Sequence, residues 1–123
     1  MSKKNILVID DSNTNLVLLE SLLRRDGYTV FSAQNGKEGL DSVDAYKPDL
    51  IFLDLKMPEI DGFEFIRKIR NKNEWKDIPI IIVSAISDRE TILESIELGV
   101  VEYLTKPIDI ERVLHLTNNI LNN

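Results

Sequence analysis

The residues of this chain that could do chemistry stand directly after short apolar runs. Ile6–Ile9 is followed by Asp10 and Asp11, and Leu50–Leu53 is followed by Asp54. Two later runs end at Ser84 and at Thr105-Lys106. If these runs are strands of one parallel sheet, the three carboxylates cluster at its edge, where they repel one another and would cost stability. Mg²⁺ would relieve that repulsion, because it takes carboxylate oxygens, keeps some waters and commonly bridges to phosphate.

The remaining polar groups of this set suit a phosphate ligand. Lys106 supplies a fixed positive charge for phosphate oxygens, and the Ser84 hydroxyl can donate a hydrogen bond. The chain has no cysteine and a single histidine, His115, which falls within the last predicted helix and not at a strand end. A polar strand end explains any one of these residues alone. The whole set favours phosphoryl transfer to a carboxylate.

The elements that must position these residues follow from the hydrophobic pattern. Five short apolar runs alternate with longer stretches of helical periodicity, which predicts right-handed βαβ units and a doubly wound parallel sheet with five helices. The pattern does not fix the strand order, but five strands in a short chain favour the flavodoxin-like order 2-1-3-4-5. The predicted strands are Ile6–Ile9, Thr29–Phe31, Leu50–Leu53, Ile78–Val83 and Val101–Leu104.

Helix ends are marked by capping residues. Ser12 and Asp109 are candidate N-caps, Ser87–Glu90 reads as a capping box, and Gly99 stands where a helix would stop. The apolar stripe within residues 88–98 is interpreted as core, and Gly62 as a turn glycine.

Composition limits the function classes. With 123 residues, 43% of them hydrophobic and 29% charged, we expect one globular domain over residues 1–123. The lack of cysteine excludes disulfides, thiolate zinc sites and cysteine nucleophiles. The net charge of −6 and the absence of a basic run argue against direct nucleic-acid binding. No stretch resembles a signal peptide or a membrane span, so we expect a cytoplasmic protein without membrane contact.

The sequence resembles the receiver domains of two-component response regulators over essentially its whole length. Four segments in order carry the resemblance: Ile9-Asp10-Asp11, Asp54–Pro58 continuing to Asp61-Gly62, Ser84-Ala85, and Tyr103 with Lys106-Pro107. Each lies at a predicted strand end.

The resemblance implies a role for each matching residue. Asp54 would accept the phosphoryl group, and Lys106 would pair with it. Asp11, Asp54 and the backbone carbonyl of Lys56 would bind Mg²⁺. Asp10 would not bind the ion directly but would act through these ligands or through water. Ser84 and the switch aromatic Tyr103 would move together on phosphorylation, and the Lys106-Pro107 peptide bond is expected to be cis.

The resemblance also implies partners. These are a histidine kinase or phosphotransfer protein, a downstream protein or effector domain, and a second copy bound through the fourth helix, fifth strand and fifth helix. Such a domain is no enzyme in the ordinary sense, because it catalyses only its own phosphorylation and dephosphorylation.

Three alternatives stay open. A haloacid-dehalogenase-like phosphatase also forms an aspartyl phosphate, but it needs a second Asp where this chain has Lys56. A flavin-binding module needs a phosphate loop after the first strand, where this chain has Asp10-Asp11. A degenerate receiver that serves only as an interaction surface would lack some of the matching residues.

Overall fold

A computed structural model describes residues 3–56 and 61–122, in which five strands alternate with five helices. The strands are β1 (Asn5–Ile9), β2 (Thr29–Ala33), β3 (Leu50–Leu53), β4 (Ile80–Ser84) and β5 (Glu102–Thr105). The helices are α1 (Asn13–Arg25), α2 (Gly36–Tyr46), α3 (Gly62–Arg70), α4 (Arg89–Glu97) and α5 (Ile110–Asn122).

The strands form one parallel sheet in the order β2-β1-β3-β4-β5, so the predicted flavodoxin-like fold and strand order are confirmed. Winding reverses between β1 and β3, which lie side by side with Ile9 opposite Leu53. The Asp54 amide continues this pairing by donating to the Ile9 carbonyl at 2.9 Å. The residues that follow β1 and β3 therefore share the switch point where ligands bind in such sheets.

The core lies on both faces of the sheet, because alternate residues of each strand point to opposite sides. Ile6 and Val8 of β1 pack in the cluster that includes α1 and α5, whereas Leu7 and Ile9 pack in the cluster on the other face. β1, β3 and β4 are buried almost throughout, as expected for central parallel strands. This double burial fixes the register of the strands and hence the positions of the residues after them.

Helix α4 departs from the sequence interpretation. Its stripe was expected in the core, but Ser95 is its only fully buried residue, and Leu93 and Ile96 are 47% and 56% exposed. Its N-cap is Asp88, one residue beyond the predicted Ser87, because the Asp88 carboxylate accepts from the Thr91 amide. Helical periodicity shows that a helix has an apolar face, but it does not show what that face meets.

Strand and helix boundaries differ from the expected ones by a few residues. β4 begins at Ile80 rather than Ile78, because Ile78 belongs to a turn in which its amide bonds the Trp75 carbonyl. The predicted caps Ser12 and Asp109 and the helix stop at Gly99 are confirmed. Across residues 3–56 and 61–122, no helix has both the length and the apolar character that crossing a bilayer requires.

Candidate functional site

Three carboxylates meet at the carboxyl edge of the sheet. Asp10 and Asp11 follow β1, Asp54 follows β3, and one oxygen from each lies within 4.8 Å of the others. Asp10 and Asp54 are nearly buried, at 2% and 6% exposed, whereas Asp11 faces solvent. The prediction that these three acids lie close together is therefore confirmed, and we call them the acidic triad.

Lys106 bridges two members of the acidic triad. Its ammonium lies 3.0 Å from an oxygen of Asp10 and 2.9 Å from an oxygen of Asp54. Burial alone would lower the pKa of Lys106, but its bonds to Asp54 and Asp10 outweigh burial and raise that pKa. The lysine is therefore a permanent cation at the site. The Lys106-Pro107 bond is cis, as predicted.

Both oxygens of Asp10 already have partners. One accepts from the Ser12 amide at 2.9 Å, and the other accepts from Lys106. Burial raises the pKa of Asp10, although the bonds from Ser12 and Lys106 act in the opposite direction. Asp10 thus holds the loop after β1 and the Lys106 side chain in place. The more exposed Asp11 is freer to contact a ligand.

Asp54 is fixed at both oxygens as well. One accepts from the Lys56 amide at 3.1 Å, and the other accepts from Lys106. The Lys56 backbone therefore turns back toward the carboxylate, beside the acidic triad. Met57 and Pro58, which carry part of the family resemblance, lie outside the described residues.

Gly62 has a role that the sequence interpretation missed. It is the first residue of α3 rather than a turn glycine, and its amide donates to the Leu55 carbonyl at 3.0 Å. A Cβ at this position would lie 2.5 Å from the Leu55 Cα. Glycine therefore lets α3 start directly against the backbone that follows Asp54, and only three-dimensional proximity reveals this requirement.

Ser84 and Tyr103 meet at the backbone of Ile86. The buried Ser84 hydroxyl accepts from the Ile86 amide at 3.2 Å, and the Tyr103 hydroxyl donates to the Ile86 carbonyl. Burial raises the pKa of Tyr103, so its hydroxyl remains protonated and able to donate. The two residues predicted to act as the switch thus hold the same peptide segment.

Comparison with known proteins agrees with this arrangement. A family model described as "Response regulator receiver domain" matches residues 6–118. The chain is 36% identical over 113 residues to sporulation initiation phosphotransferase F of Bacillus subtilis (strain 168), covering 92% of this chain and 90% of that protein. It is 37% identical over 109 residues to transcriptional regulatory protein ZraR of Klebsiella oxytoca, but spans 24% of the length of that protein.

Solved structures show the same relationship. The crystal structure of a two-component response regulator from Clostridium difficile superposes with a TM-score of 0.92 at 30% identity, covering 98% of both chains. The family match, the strand order and the curated relatives all agree, and the chain therefore belongs to the response regulator receiver domains of two-component signalling.

Proposed function

We propose that Asp54 accepts a phosphoryl group from a histidine kinase, a phosphotransfer protein or a small phosphodonor, in a reaction that requires Mg²⁺. The observation that carries this proposal is the grouping of Asp10, Asp11 and Asp54 with Lys106 bonded between Asp10 and Asp54. The Asp54 amide extends the sheet by donating to the Ile9 carbonyl, as the Asp10 amide does by donating to the Ala33 carbonyl, so both carboxylates are presented at the switch point on a rigid support.

The donor set fits a hard divalent cation. Three carboxylates converge within 4.8 Å, and Mg²⁺ prefers such oxygen ligands. Asp11 and Asp54 would hold the ion together with the backbone carbonyl of Lys56, and Asp10, the most buried of the three acids, would act indirectly or through water. When bound, the cation neutralises part of the negative charge of the carboxylates and of the incoming phosphate oxygens.

The reaction uses the carboxylate as a nucleophile. An oxygen of Asp54 forms a bond to phosphorus while the bond from phosphorus to the donor nitrogen or oxygen breaks, and the leaving group keeps that electron pair. The product is a mixed anhydride of Asp54 and phosphate. Lys106 then pairs with a phosphoryl oxygen instead of the Asp54 carboxylate, and so retains an anionic partner.

The added charge biases the neighbouring switch residues. Phosphorylation adds about −1.5 to −2 charges and strong acceptor oxygens. The Ser84 hydroxyl can donate to such an oxygen, and a shift of Ser84 alters the hydrogen bond that it accepts from Ile86. Tyr103, which holds the Ile86 carbonyl, responds to the same displacement. The phosphoryl group thereby shifts an equilibrium between two arrangements of this loop.

The surface that this equilibrium would control is formed by α4, β5 and α5. It carries exposed apolar side chains at Leu93, Ile96, Val101 and Ile110. We propose this surface for a downstream protein or effector domain, or for a second copy of the chain. The chain itself would catalyse only its own phosphorylation and dephosphorylation.

The deciding experiment is phosphorylation with acetyl phosphate or phosphoramidate in the presence of Mg²⁺, followed by intact mass measurement. Wild type should gain one phosphoryl group, and Asp54→Asn should gain none. Asp44→Asn is the matched control, because Asp44 is exposed on α2, and it should react like wild type. Chelation of Mg²⁺ should suppress the adduct. An adduct that forms as readily on Asp54→Asn would refute the assignment.

A further inference from the structure

We propose that Arg70 fixes the carboxyl-terminal end of α4, so that a rearrangement triggered at Asp54 is confined to residues 85–88 and the first turn of α4. In this view α4 pivots about a fixed end and does not translate as a whole. The inference rests on the proposed function of Asp54 and adds the mechanical element that decides which part of α4 responds.

Arg70 is the last residue of α3, and its guanidinium binds backbone carbonyls from two other segments. Nε and Nη2 donate to the carbonyls of Leu98 and Gly99, at 3.3 and 3.0 Å. Nη1 donates to the carbonyls of Lys76 and Ile78, at 3.0 and 2.9 Å. We call Arg70 and these four carbonyls the Arg70 clamp. It joins the turn after α4 to the segment that leads into β4.

The carbonyls of Leu98 and Gly99 are at the end of a helix that is already well terminated. The Val100 amide donates to Ser95 and the Gly99 amide to Ile96, and Gly99 has φ of 82°. This is the Schellman arrangement, in which glycine takes a left-handed conformation. A cation at this end also interacts favourably with the helix dipole. The Arg70 clamp therefore holds a rigid turn.

A second tether lies one turn earlier on both helices. Arg67 of α3 forms an ion pair with Glu94 of α4 at 3.1 Å, with both side chains about half exposed. Beyond the turn, the Val101 amide donates to the Ile80 carbonyl and starts the pairing of β5 with β4. The second half of α4 is thus tied on two sides.

The amino-terminal end of α4 is held quite differently. Asp88 caps the helix through Thr91, a contact within α4 itself. Among the hydrogen bonds of the described residues, segment 85–88 reaches its surroundings through the Ile86 amide and carbonyl, which bond Ser84 and Tyr103. These two partners are the residues that would respond to the phosphoryl group. Movement of Ser84 and Tyr103 would therefore release the amino-terminal end of α4, whereas the carboxyl-terminal end would stay fixed by Arg70.

Lysine cannot replace the guanidinium in the Arg70 clamp. Arginine has five N–H donors in a planar fork, whereas lysine has three donors on one atom. Four carbonyls from two segments need the spread of the fork. Arg70→Lys therefore keeps the charge and most of the stem but loses the simultaneous contacts, which makes it the informative variant.

The first measurement needs no ligand. Amide hydrogen exchange of ¹⁵N-labelled protein should speed up about tenfold at Leu98, Gly99 and Val100 in Arg70→Lys, because the acceptors beside these amides lose charge-assisted bonds. The Ile92 amide, which bonds the Asp88 carbonyl in the first turn, should be unchanged. Glu94→Gln, which removes only the exposed ion pair, should show a smaller increase at the same amides. Arg25→Lys, an exposed arginine at the end of α1, is the control and should match wild type.

The second measurement adds Mg²⁺ and beryllofluoride as the probe of the phosphorylated state. In wild type, amide chemical shifts should change at residues 84–92 and remain nearly constant at residues 95–100. In Arg70→Lys the changes should extend through residues 95–100. Equal changes along the whole of α4 in wild type, or unchanged exchange at Leu98–Val100 in Arg70→Lys, would overturn the proposal.

The results of these two measurements distinguish a failure of this proposal from a failure of the proposed function of Asp54. If beryllofluoride leaves the amides of Asp54, Lys56 and Lys106 unshifted in wild type, the proposed phosphorylation site fails. The ligand-free exchange experiment then still decides whether Arg70 fixes the end of α4. If those amides shift and the pattern along α4 is uniform, the function stands and the pivot is wrong.

Discussion

The acidic triad follows β1 and β3, helix α4 follows the adjacent strand β4, and the two regions are stabilised in opposite ways. Asp10 and Asp54 are almost completely buried, and each of their four carboxylate oxygens has a hydrogen-bond donor. Helix α4 buries one serine fully and leaves Leu93 and Ile96 about half exposed. The groups proposed to react are thus fixed by many contacts, whereas α4 is proposed to be fixed at one end.

This difference teaches how one small domain can combine chemistry with signalling. A nucleophile and its cation must keep their geometry, because misplacement costs rate. A reporting element must instead have two arrangements of similar free energy, which requires few buried contacts. In the proposed function the sheet would supply the first property and α4 the second, with Ile86 between them.

The largest expected contrast compares one isoleucine from each region. Ile82 of β4 is fully buried, so Ile82→Ala should lower the free energy of unfolding by about 2 to 5 kcal/mol through lost burial and a cavity. Ile96 of α4 is 56% exposed, so Ile96→Ala should change the free energy of unfolding by about 0.5 kcal/mol or less. Urea unfolding of both variants measures this. Comparable losses would show that α4 is packed in solution as tightly as β4.

The same contrast explains what the sequence could predict. The runs Leu50–Leu53 and Ile6–Ile9 are buried on both faces of the sheet, so they are apolar throughout and reveal both the strands and the polar residues after them. The periodicity of residues 88–98 was also visible, but the inference that its stripe packs in the core was wrong for Leu93 and Ile96, whereas Leu98 does pack against the core. A pattern reports that a face is apolar, and the neighbouring elements decide whether it is covered.

The next largest effect concerns the cation of the site. Lys106→Met leaves Asp10 and Asp54 close together without their shared ammonium, and we expect a loss of about 2 kcal/mol in the free energy of unfolding at about pH 7 without Mg²⁺. The loss is below that of a fully buried pair because Lys106 keeps some solvent contact. Lys37→Met, at an exposed position of α2, is the control and should change stability little.

This loss should depend on pH with a definite sign. Burial already raises the pKa of Asp10, so the folded state binds that proton more tightly than the unfolded state and gains stability as the pH falls. Removal of Lys106 takes away an opposing effect and raises the pKa of Asp10 further. The deficit of Lys106→Met should therefore shrink as pH falls from about 7 to about 5. Equal deficits at both pH values would contradict this explanation.

A smaller effect tests how closely the loop after Asp54 is fixed. In Gly62→Ala the new methyl group would lie 2.5 Å from the Leu55 Cα, which is backbone and cannot rotate away. We expect a loss of about 1 kcal/mol or more, after the gain in helix propensity of alanine over glycine. Gly39→Ala is the matched helical variant, because its methyl group meets side-chain atoms, Ile9 Cδ1 at 2.6 Å and Phe65 Cε2 at 3.1 Å, which can shift more easily than backbone, so it should cost less. A smaller loss at Gly62 than at Gly39 would show that the loop adjusts.

Gly62 and Arg70 show why part of the structure could not be predicted. The sequence marks Gly62 only as a turn glycine within a matching segment, and Arg70 does not stand out because arginine at a helix end is common. Their importance comes from backbone atoms of Leu55, Leu98 and Gly99 that approach them only in the folded chain. The acidic triad was predictable because its members share a topological position, whereas these contacts have no counterpart in sequence periodicity.

The smallest predicted effect compares the two tethers of α4. Arg67 and Glu94 are 53% and 45% exposed, so a double-mutant cycle with Arg67→Gln and Glu94→Gln should give a coupling energy of about 0.2 to 1 kcal/mol. The coupling should fall toward zero as salt is raised, because exposed ion pairs are screened. The Arg70 clamp, whose acceptors are neutral carbonyls and whose bonds to Leu98 and Ile78 are partly buried, should keep its effect on exchange at Leu98–Val100 in the same salt. If both tethers weaken equally with salt, the fixed end of α4 depends on surface charge; if only the Arg67–Glu94 pair weakens, the fixed end depends on the hydrogen-bond geometry of a single guanidinium.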